Sequence, residues 1–273
     1  MLRADGMAFQ AGYNGYCEVS GLGTSQLDQP MMTQSPFPTS TLNGATRFKK
    51  MVGGLNFTLA IRNDGSLWSW GYNTYGAVGT GLAVSTPQYS PTQITSGGTT
   101  WVDVVAGSYH AVGLRSDGTM WAWGYGALGQ LGDGTLTTNQ LTPKQVGTGA
   151  NWKTLSAATY HNLALKTDGT LWAWGSNGSG QLGDGTTTTR NVPTQVGTWS
   201  DWSEISCGNT NSAGIRADGS LWVWGSNSNG QLGDGTIVAQ YAPQRVGSGT
   251  NWKRVTVSQN RVFAITTDGA LWA

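Results

Sequence analysis

Two histidines are the first candidates for acid–base chemistry, because an imidazole titrates close to neutral pH. His110 and His161 each follow a tyrosine at the same position of an internal repeat, and Asn56 and Asn211 lie near that position in other units. Neither histidine has the His-x-x-x-His or His-Glu spacing of a zinc site. A side chain that recurs with a repeat is more typical of structure than of catalysis. We therefore predict that both histidines make structural hydrogen bonds near the start of a strand.

Aspartates are the next candidates, since Asp133, Asp184 and Asp234 recur in Gly-Asp-Gly-Thr loops. Calcium needs six or more oxygen ligands, and each loop offers one carboxylate. The prediction is therefore a turn whose carboxylate caps the backbone, with calcium binding as the alternative. The only glutamates, Glu18 and Glu204, lie in different units and do not form the carboxylate pair of an acid–base mechanism. Without a Gly-x-Ser-x-Gly motif, the sequence predicts a protein that is not an enzyme and has no cofactor or metal.

The charge and hydropathy of the chain limit the classes of partner that it is expected to bind. Its 273 residues include 15 Lys and Arg against 14 Asp and Glu, a net charge of +1, so no basic surface for nucleic acid is expected. No apolar run reaches the roughly 18 residues of a membrane span, and the first residues lack the apolar core of a signal peptide. Localisation stays open, with a virion or the extracellular space suspected. The expected partners are proteins, either virion proteins or copies of this chain.

The elements that must position any site are short strands. The 42 glycines and 14 tryptophans indicate an all-β protein with many turns. Asp-Gly turns begin at Asp5, Asp64, Asp117, Asp168, Asp218 and Asp268, which are 59, 53, 51, 50 and 50 residues apart. Each unit reads as strand, turn, strand, Asp-Gly turn, strand, long loop and a last strand after a proline. A tight Asp-Gly hairpin implies positive φ at both central residues. Four strands in about 50 residues predict the blade of a β-propeller, and we assign residues 1–273 to one such domain.

Paired tryptophans follow four of these turns and indicate how blades pack. Trp172 and Trp174 point to the same side of a strand, and the other side carries leucine and a small residue. The small residues are Ser69, Ala122, Ala173 and Val223. A bulky face against a small face would pack neighbouring blades at interior density. Cys207 replaces the alanine of other units, which predicts a small buried thiol.

Two stretches show a family resemblance: "YHAVGLRSDGTMWAWGYGALGQLGDGT" and "YHNLALKTDGTLWAWGSNGSGQLGDGT". They closely resemble the repeat of the regulator of chromosome condensation family, in the style of its prokaryotic and phage members. The resemblance implies a β-propeller, usually of seven blades, and does not imply one activity. This sequence departs from that pattern, because five to six units are visible and both terminal units are incomplete. Seven blades would need residues outside the sequence or a partner chain.

The leading functional hypothesis is a protein-binding or structural scaffold. Residues 23–44 interrupt the repeat, and Met31, Met32 and Phe37 in this insertion are candidate partner contacts. Three tyrosines, Tyr72, Tyr75 and Tyr125, complete the six residues assigned to partner binding. The repeats are also similar to those of phage structural proteins, so a tail- or capsid-associated virion component is one form of the hypothesis. The alternatives are a guanine-nucleotide exchange factor and an inhibitor of a secreted enzyme. The inhibitor would use exposed aromatics, for which the candidates are Tyr72, Tyr75, Tyr109, Tyr125 and Tyr160.

Overall fold

The computed structural model describes residues 9–12, 29–34, 48–98, 100–259 and 261–273. Strands β1 (Phe9–Gly12) and β2 (Gln29–Gln34) form an antiparallel pair. Met31 and Met32 lie on β2, whereas Phe37, the Asp5 turn and most of the insertion lie outside the described residues. The chain divides into two compact units, one of residues 1–126 with 137–150 and one of residues 127–136 with 151–273. The assignment of all 273 residues to one domain stays a prediction.

The first unit contains two four-stranded antiparallel sheets in which neighbours in sequence are neighbours in space. The β3–β6 sheet comprises β3 (Phe48–Gly53), β4 (Phe57–Arg62), β5 (Leu67–Tyr72) and β6 (Pro87–Ile94). The β7–β10 sheet comprises β7 (Trp101–Ala106), β8 (His110–Arg115), β9 (Met120–Gly124) and β10 (Gln140–Gln145). A short 3₁₀ turn, Thr74–Gly76, lies between β5 and β6.

The second unit contains three antiparallel sheets, in which the strands again lie in the order of the sequence. The β11–β14 sheet comprises β11 (Trp152–Ala157), β12 (His161–Lys166), β13 (Leu171–Gly175) and β14 (Arg190–Gln195). The β15–β18 sheet comprises β15 (Trp202–Cys207), β16 (Asn211–Arg216), β17 (Leu221–Gly225) and β18 (Gln240–Arg245). The β19–β21 sheet has three strands: β19 (Trp252–Ser258), β20 (Arg261–Thr266) and β21 (Leu271–Trp272). The all-β class and the four-stranded repeat are therefore confirmed.

The Asp-Gly turns differ from the tight hairpin that the sequence predicted. Gly169 has a φ of 77°, but Asp168 is not among the described non-glycine residues with positive φ. The backbone N–H of Gly169 donates to the carbonyl of Lys166 at 3.0 Å, which is a type I turn followed by a left-handed glycine. Asp168 accepts the backbone N–H of Thr170 at 3.0 Å and its hydroxyl at 2.7 Å. This capping satisfies the turn without positive φ at the aspartate, so the prediction was wrong in turn type.

The first tryptophan of each pair is tied to its own turn. Trp172 Nε1 donates to Thr170 Oγ1 at 2.9 Å, and the ammonium of Lys166 lies 3.7 Å from the centre of the indole ring. The same indole–hydroxyl–carboxylate chain occurs in the other three units, at Trp68–Ser66–Asp64, Trp121–Thr119–Asp117 and Trp222–Ser220–Asp218. Each half-buried indole thus has its polar edge hydrogen-bonded and carries a cation on its face.

In three of the four pairs, the second tryptophan joins its sheet to the loop of the preceding sheet. Trp224 Nε1 donates to the carbonyl oxygen of Gln181 at 2.9 Å, and a Cβ added to Gly183 would lie 2.8 Å from the Trp224 ring. We call this arrangement of a glycine and a carbonyl the indole socket. Two more filled sockets are formed by Ala77 and Gly79 around Trp123, and by Gln130 and Gly132 around Trp174. All three tryptophans are buried, so the prediction that they pack inside is confirmed.

The sheets pack with a bulky face against a small one. In the second unit, Leu171 and Ala173 of the β11–β14 sheet belong to one buried cluster with Trp224, Trp202 and Cys207 of the β15–β18 sheet. This confirms the predicted pattern of large and small residues. Burial raises the pKa of the Cys207 thiol to about 12, so the buried thiol stays protonated at neutral pH.

The fourth strands begin earlier than predicted. Pro193 lies inside β14 and Pro243 inside β18, so the strand does not start after the proline. Each strand is at the edge of its sheet, and its pairing with the neighbouring strand is interrupted around the proline. An edge strand tolerates proline there because the missing N–H faces no partner strand.

The indole socket predicts a position-specific effect of adding one methyl group. Gly183 and Gly185 have φ values of 75° and 80°, but a Cβ at Gly185 would meet nothing within 4 Å. Both alanine variants carry the left-handed backbone cost of about 1–2 kcal/mol. We expect Gly183→Ala to lose about 1–3 kcal/mol more than Gly185→Ala, because its methyl displaces Trp224. Equal free energies of unfolding, measured in urea, would contradict the role of the socket.

The capped turns predict acid sensitivity. Hydrogen bonds from the hydroxyl and the backbone of Thr170 lower the pKa of Asp168, and Asp117 and Asp218 have their pKa lowered in the same way by Thr119 and Ser220. A depressed carboxyl pKa stabilises the fold above the unfolded value of about 3.9, and this stability is lost as pH falls through the folded value.

We therefore expect the urea midpoint to fall below about pH 4. Carbon-detected titration should show a higher pKa for Asp168 in Thr170→Val, which lacks the hydroxyl, and unchanged values for Asp117 and Asp218. An Asp168 pKa that does not move in Thr170→Val would refute the assignment.

Candidate protein-binding site

The histidine and aspartate side chains considered for chemistry make structural hydrogen bonds wherever their contacts are described. His161 begins β12, is buried, and its Nε2 lies 2.9 Å from Ser212 Oγ in the next sheet. Ser212 in turn donates to the carbonyl of Gln181 at 2.9 Å. The predicted structural hydrogen bond near a strand start is thus present at His161. The register places Phe57 opposite Gly71, as His161 is opposite Gly175, so Phe57 rather than Asn56 occupies the equivalent position.

The aspartates of the Gly-Asp-Gly-Thr loops cap turns, as predicted. Asp184 Oδ1 accepts the backbone N–H of Thr186 at 3.0 Å and its hydroxyl at 2.7 Å, and Arg190 forms a 2.7 Å ion pair with Oδ2. Burial raises the pKa of Asp184, but these hydrogen bonds outweigh it and the pKa lies below its usual value. Asn177 closes the loop through the backbone N–H of Leu182 and the carbonyl of Thr188. Within the described ranges, no group of three or more His, Cys, Asp or Glu side chains is placed to hold a metal ion.

Three tyrosines come together in the first unit. The ring of Tyr75 lies 5.4 Å from that of Tyr109, edge to face, and 4.6 Å from that of Tyr125. These distances are those of favourable aromatic pairs. Tyr75 is 38% exposed, and the other two are half-buried. We call Tyr75, Tyr109 and Tyr125 the tyrosine cluster.

Two strands and one loop position the tyrosine cluster. Tyr109 directly precedes β8 and Tyr125 directly follows β9, and the backbone N–H of Tyr125 donates to the carbonyl of Tyr109 at 2.9 Å. Gly124 between them has a φ of 96°, and a Cβ there would lie 2.5 Å from the Tyr109 carbonyl oxygen. Tyr75 comes from the loop between β5 and β6, which reaches across to the neighbouring sheet. The β8–β9 hairpin therefore positions two rings, and the loop adds the third.

The loop that carries Tyr75 departs from the repeat in both sequence and backbone. In the other units a glutamine side chain accepts the backbone N–H of the residue at the position of Tyr75, at 2.9 Å in each case. Ala77 replaces that glutamine and offers no acceptor. Tyr75 has a φ of 57° and Ser85, at the other end of the loop, a φ of 60°. Strained non-glycine residues of this kind persist where the surroundings hold them and are common at functional sites.

Apolar side chains extend the exposed surface of this loop. Leu82 and Val84 are 38% and 41% exposed. Asn73 anchors the loop from inside, because its side-chain amide donates to the carbonyls of Leu82 and Ala83 at 2.9 and 3.0 Å. Loop 73–86 thus presents aromatic and aliphatic groups on an anchored backbone. Such a surface can bind another protein through apolar contacts.

The structure brings together two of the six site residues that the sequence analysis assigned. Tyr75 and Tyr125 are in contact, and Tyr109, weighed only for the inhibitor hypothesis, joins them. Tyr72 ends β5 at the position equivalent to Tyr125 and is half-buried. Leu82 and Val84 were missed, although the loss of the Gly-Gln-Leu-Gly motif in this unit was a usable signal. No helix in the described part of the chain has the length and apolarity needed to cross a membrane.

Comparison with known proteins identifies the family. The model of the RCC1-like domain matches residues 1–273. The ultraviolet-B receptor UVR8 of Arabidopsis thaliana is 33% identical over 141 residues, which are 51% of this chain and 32% of UVR8. The human E3 ubiquitin-protein ligase HERC2 is 36% identical over 133 residues, which are 48% of this chain and 3% of HERC2. The matched part is therefore a third or less of either relative.

Solved structures agree with this family in fold. Human WBSCR16 superimposes with a TM-score of 0.79 at 21% identity, over 95% of this chain and 67% of that chain. Saccharomyces cerevisiae Prp20p does so with a TM-score of 0.79 at 16% identity, over 94% of this chain and 64% of that chain. The predicted fold class, a β-propeller of four-stranded blades, is thereby confirmed. This chain belongs to the RCC1-like domain family.

Proposed function

We propose that this chain is a non-enzymatic protein-binding module whose partner contacts the tyrosine cluster and loop 73–86. The observation that carries the proposal is the contact of Tyr75, which lies on a strained and exposed loop, with Tyr109 and Tyr125. Tyrosines dominate binding energy at many protein interfaces, because they bury a large area and lose little conformational entropy. The chain has a nearly neutral charge, which favours apolar and hydrogen-bonded recognition over electrostatic attraction.

Proteins of the same fold support a binding role. Saccharomyces cerevisiae Prp20p binds Gsp1p and histones, and yeast RCC1 has also been solved in a complex with Kap60. A guanine-nucleotide exchange activity is one form of the proposal. A virion component and an inhibitor of a secreted enzyme are the other forms, and they differ in the class of partner.

The insertion at residues 23–44 is a second proposed contact. Met31, Met32 and Phe37 would supply adaptable apolar side chains to the same or another partner. Substituting all three with serine, and comparing the partner's affinity with that of the Tyr75 variant, separates the two contact surfaces.

The role of the tyrosine cluster predicts a selective loss of affinity. A partner captured by the wild-type chain from its source and identified by mass spectrometry is titrated against Tyr75→Ala and Tyr125→Ala. We expect each variant to weaken binding by about 30-fold or more, as for a central aromatic contact. Tyr89→Ala is the matched control, because Tyr89 is 42% exposed on β6 but lies outside the tyrosine cluster. Equal affinity of Tyr75→Ala and Tyr89→Ala for the partner would refute this surface.

The identity of the partner then separates the forms of the proposal. Release of labelled nucleotide from a captured small GTPase would identify an exchange factor. Recovery of structural proteins from purified virions would identify a virion component. Loss of activity of a secreted hydrolase on titration would identify an inhibitor.

A further inference from the structure

A groove in the second unit is found where a single tryptophan breaks the repeat. Trp199 lies three residues before Trp202, at a position where the following unit has Gly249 before Trp252. Trp199 is half-buried and borders a groove of about 340 Å³. The groove lies between the β11–β14 and β15–β18 sheets, both of which have four strands. Its other lining residues are 183–185 and 196–198, with Ala242 and Pro243.

A second indole and a cation hold Trp199 in place. The centre of its ring lies 4.7 Å from that of Trp222 and 4.4 Å from the guanidinium carbon of Arg216. Arg216 donates from Nε and Nη2 to the two carboxylate oxygens of Asp201, at 2.8 Å each. Arginine stacks on aromatic rings, and a bidentate ion pair fixes the plane of its guanidinium. The aromatic wall of the groove is therefore ordered before any ligand binds, which lowers the entropic cost of binding.

The lining of the groove carries no unpaired charge. Its one charged side chain is that of Asp184, whose Oδ2 forms a 2.7 Å ion pair with Arg190 and whose Oδ1 accepts the hydroxyl of Thr186. Val196 and Pro243 add apolar surface. An ionic ligand would lose its hydration here without gaining a partner. The groove is thus complementary to an uncharged occupant with apolar surface.

The polar groups of the groove favour an occupant that offers hydrogen-bond acceptors. Within the part of the chain that the structure describes, the indole N–H of Trp199 donates to no acceptor and is not buried. Pro243 has no backbone N–H, so the edge of β18 lacks a donor at this point and the addition of a β-strand is disfavoured. The groove therefore presents an indole donor, an aromatic ring and a proline ring.

We propose that this groove binds a proline-rich segment of a partner protein in the polyproline II conformation. Such a segment has many carbonyl acceptors, few N–H donors, uncharged apolar rings and a backbone that is already extended, and it docks in aromatic-lined grooves. A proline ring of the segment packs on the indole of Trp199, and the indole N–H donates to a peptide carbonyl. The groove contains no residue of the tyrosine cluster, so this proposal goes beyond the proposed function and either can fail alone.

The first test titrates the full chain with an octaproline peptide and follows the indole N–H signals by NMR. Binding should be saturable, and the signal of Trp199 should shift more than that of Trp172, whose N–H already donates to Thr170. A peptide of the same length in which glycine replaces alternate prolines should bind at least about tenfold more weakly, because its backbone is not preorganised.

Two outcomes of this titration overturn the proposal, namely absence of saturable octaproline binding and equal affinity of the two peptides. Maltohexaose is titrated in parallel. If it shifts the Trp199 signal and octaproline does not, the groove is a carbohydrate site and the proposal is wrong. The protein is the same in every titration, so folding does not affect the comparison.

Variants of the groove then locate the contact. Trp199→Gly restores the residue type of the following unit and should weaken octaproline at least about tenfold. Trp199→Phe keeps a ring without the N–H donor and should weaken it about three- to tenfold. Tyr241→Ala is the matched control, because Tyr241 is 47% exposed on β18 and does not line the groove. Wild-type affinity in a folded Trp199→Gly variant, or an equal loss in Tyr241→Ala, would contradict the proposal. If Trp199→Gly does not fold, Trp199→Phe and the peptide comparison decide the matter.

Discussion

The hydrogen bond from a buried indole to a loop carbonyl is the interaction on which the packing of the sheets depends. It needs three things at once: a tryptophan at the end of a third strand, a glycine with space for the ring, and a carbonyl turned towards the indole N–H. Trp123, Trp174 and Trp224 each satisfy all three. A buried indole N–H without an acceptor is costly, and the ring gains most when its cavity has no void. Polar and apolar requirements therefore fix the same spacing between neighbouring sheets.

The capped turns and anchored loops keep these sockets in shape. Asp184 and Asn177 hold their loop by hydrogen bonds to its backbone, and Asp168 with Thr170 holds the hairpin beneath the outer tryptophan. These recurring polar side chains therefore form hydrogen bonds that stabilise the fold. The surface that we propose for partner binding lies where the repeat is broken, in the loop that carries Tyr75.

The repeat itself determined how much of this could be predicted from sequence. The alternation around Trp172 and Trp174, and the single carboxylate in each loop, were sufficient for the strand pattern, the packing and the capping. The predicted turn type was wrong because Asp-Gly is compatible with two kinds of hairpin turn. Only the hydroxyl two residues after the aspartate, as in Thr170, favours the type I turn that is observed. The predicted start of the fourth strand was wrong because Pro193 lies inside that strand. The strand is at the edge of its sheet, where proline is tolerated, whereas an inner strand excludes proline. Tyr109 was underrated because residues more than 30 positions apart, such as Tyr75 and Tyr109, meet only when adjacent sheets are placed side by side.

The socket and its tryptophan are about 40 residues apart, in consecutive units, as Gly183 and Trp224 show. Such a unit therefore contributes a tryptophan to the socket of the unit before it and a socket to the tryptophan of the unit after it. A gene segment that encodes one unit can be duplicated or deleted, and the new neighbours still match at the junction. Such a chain can lengthen by whole units, while the sequence of a single loop changes without disturbing the contacts between units.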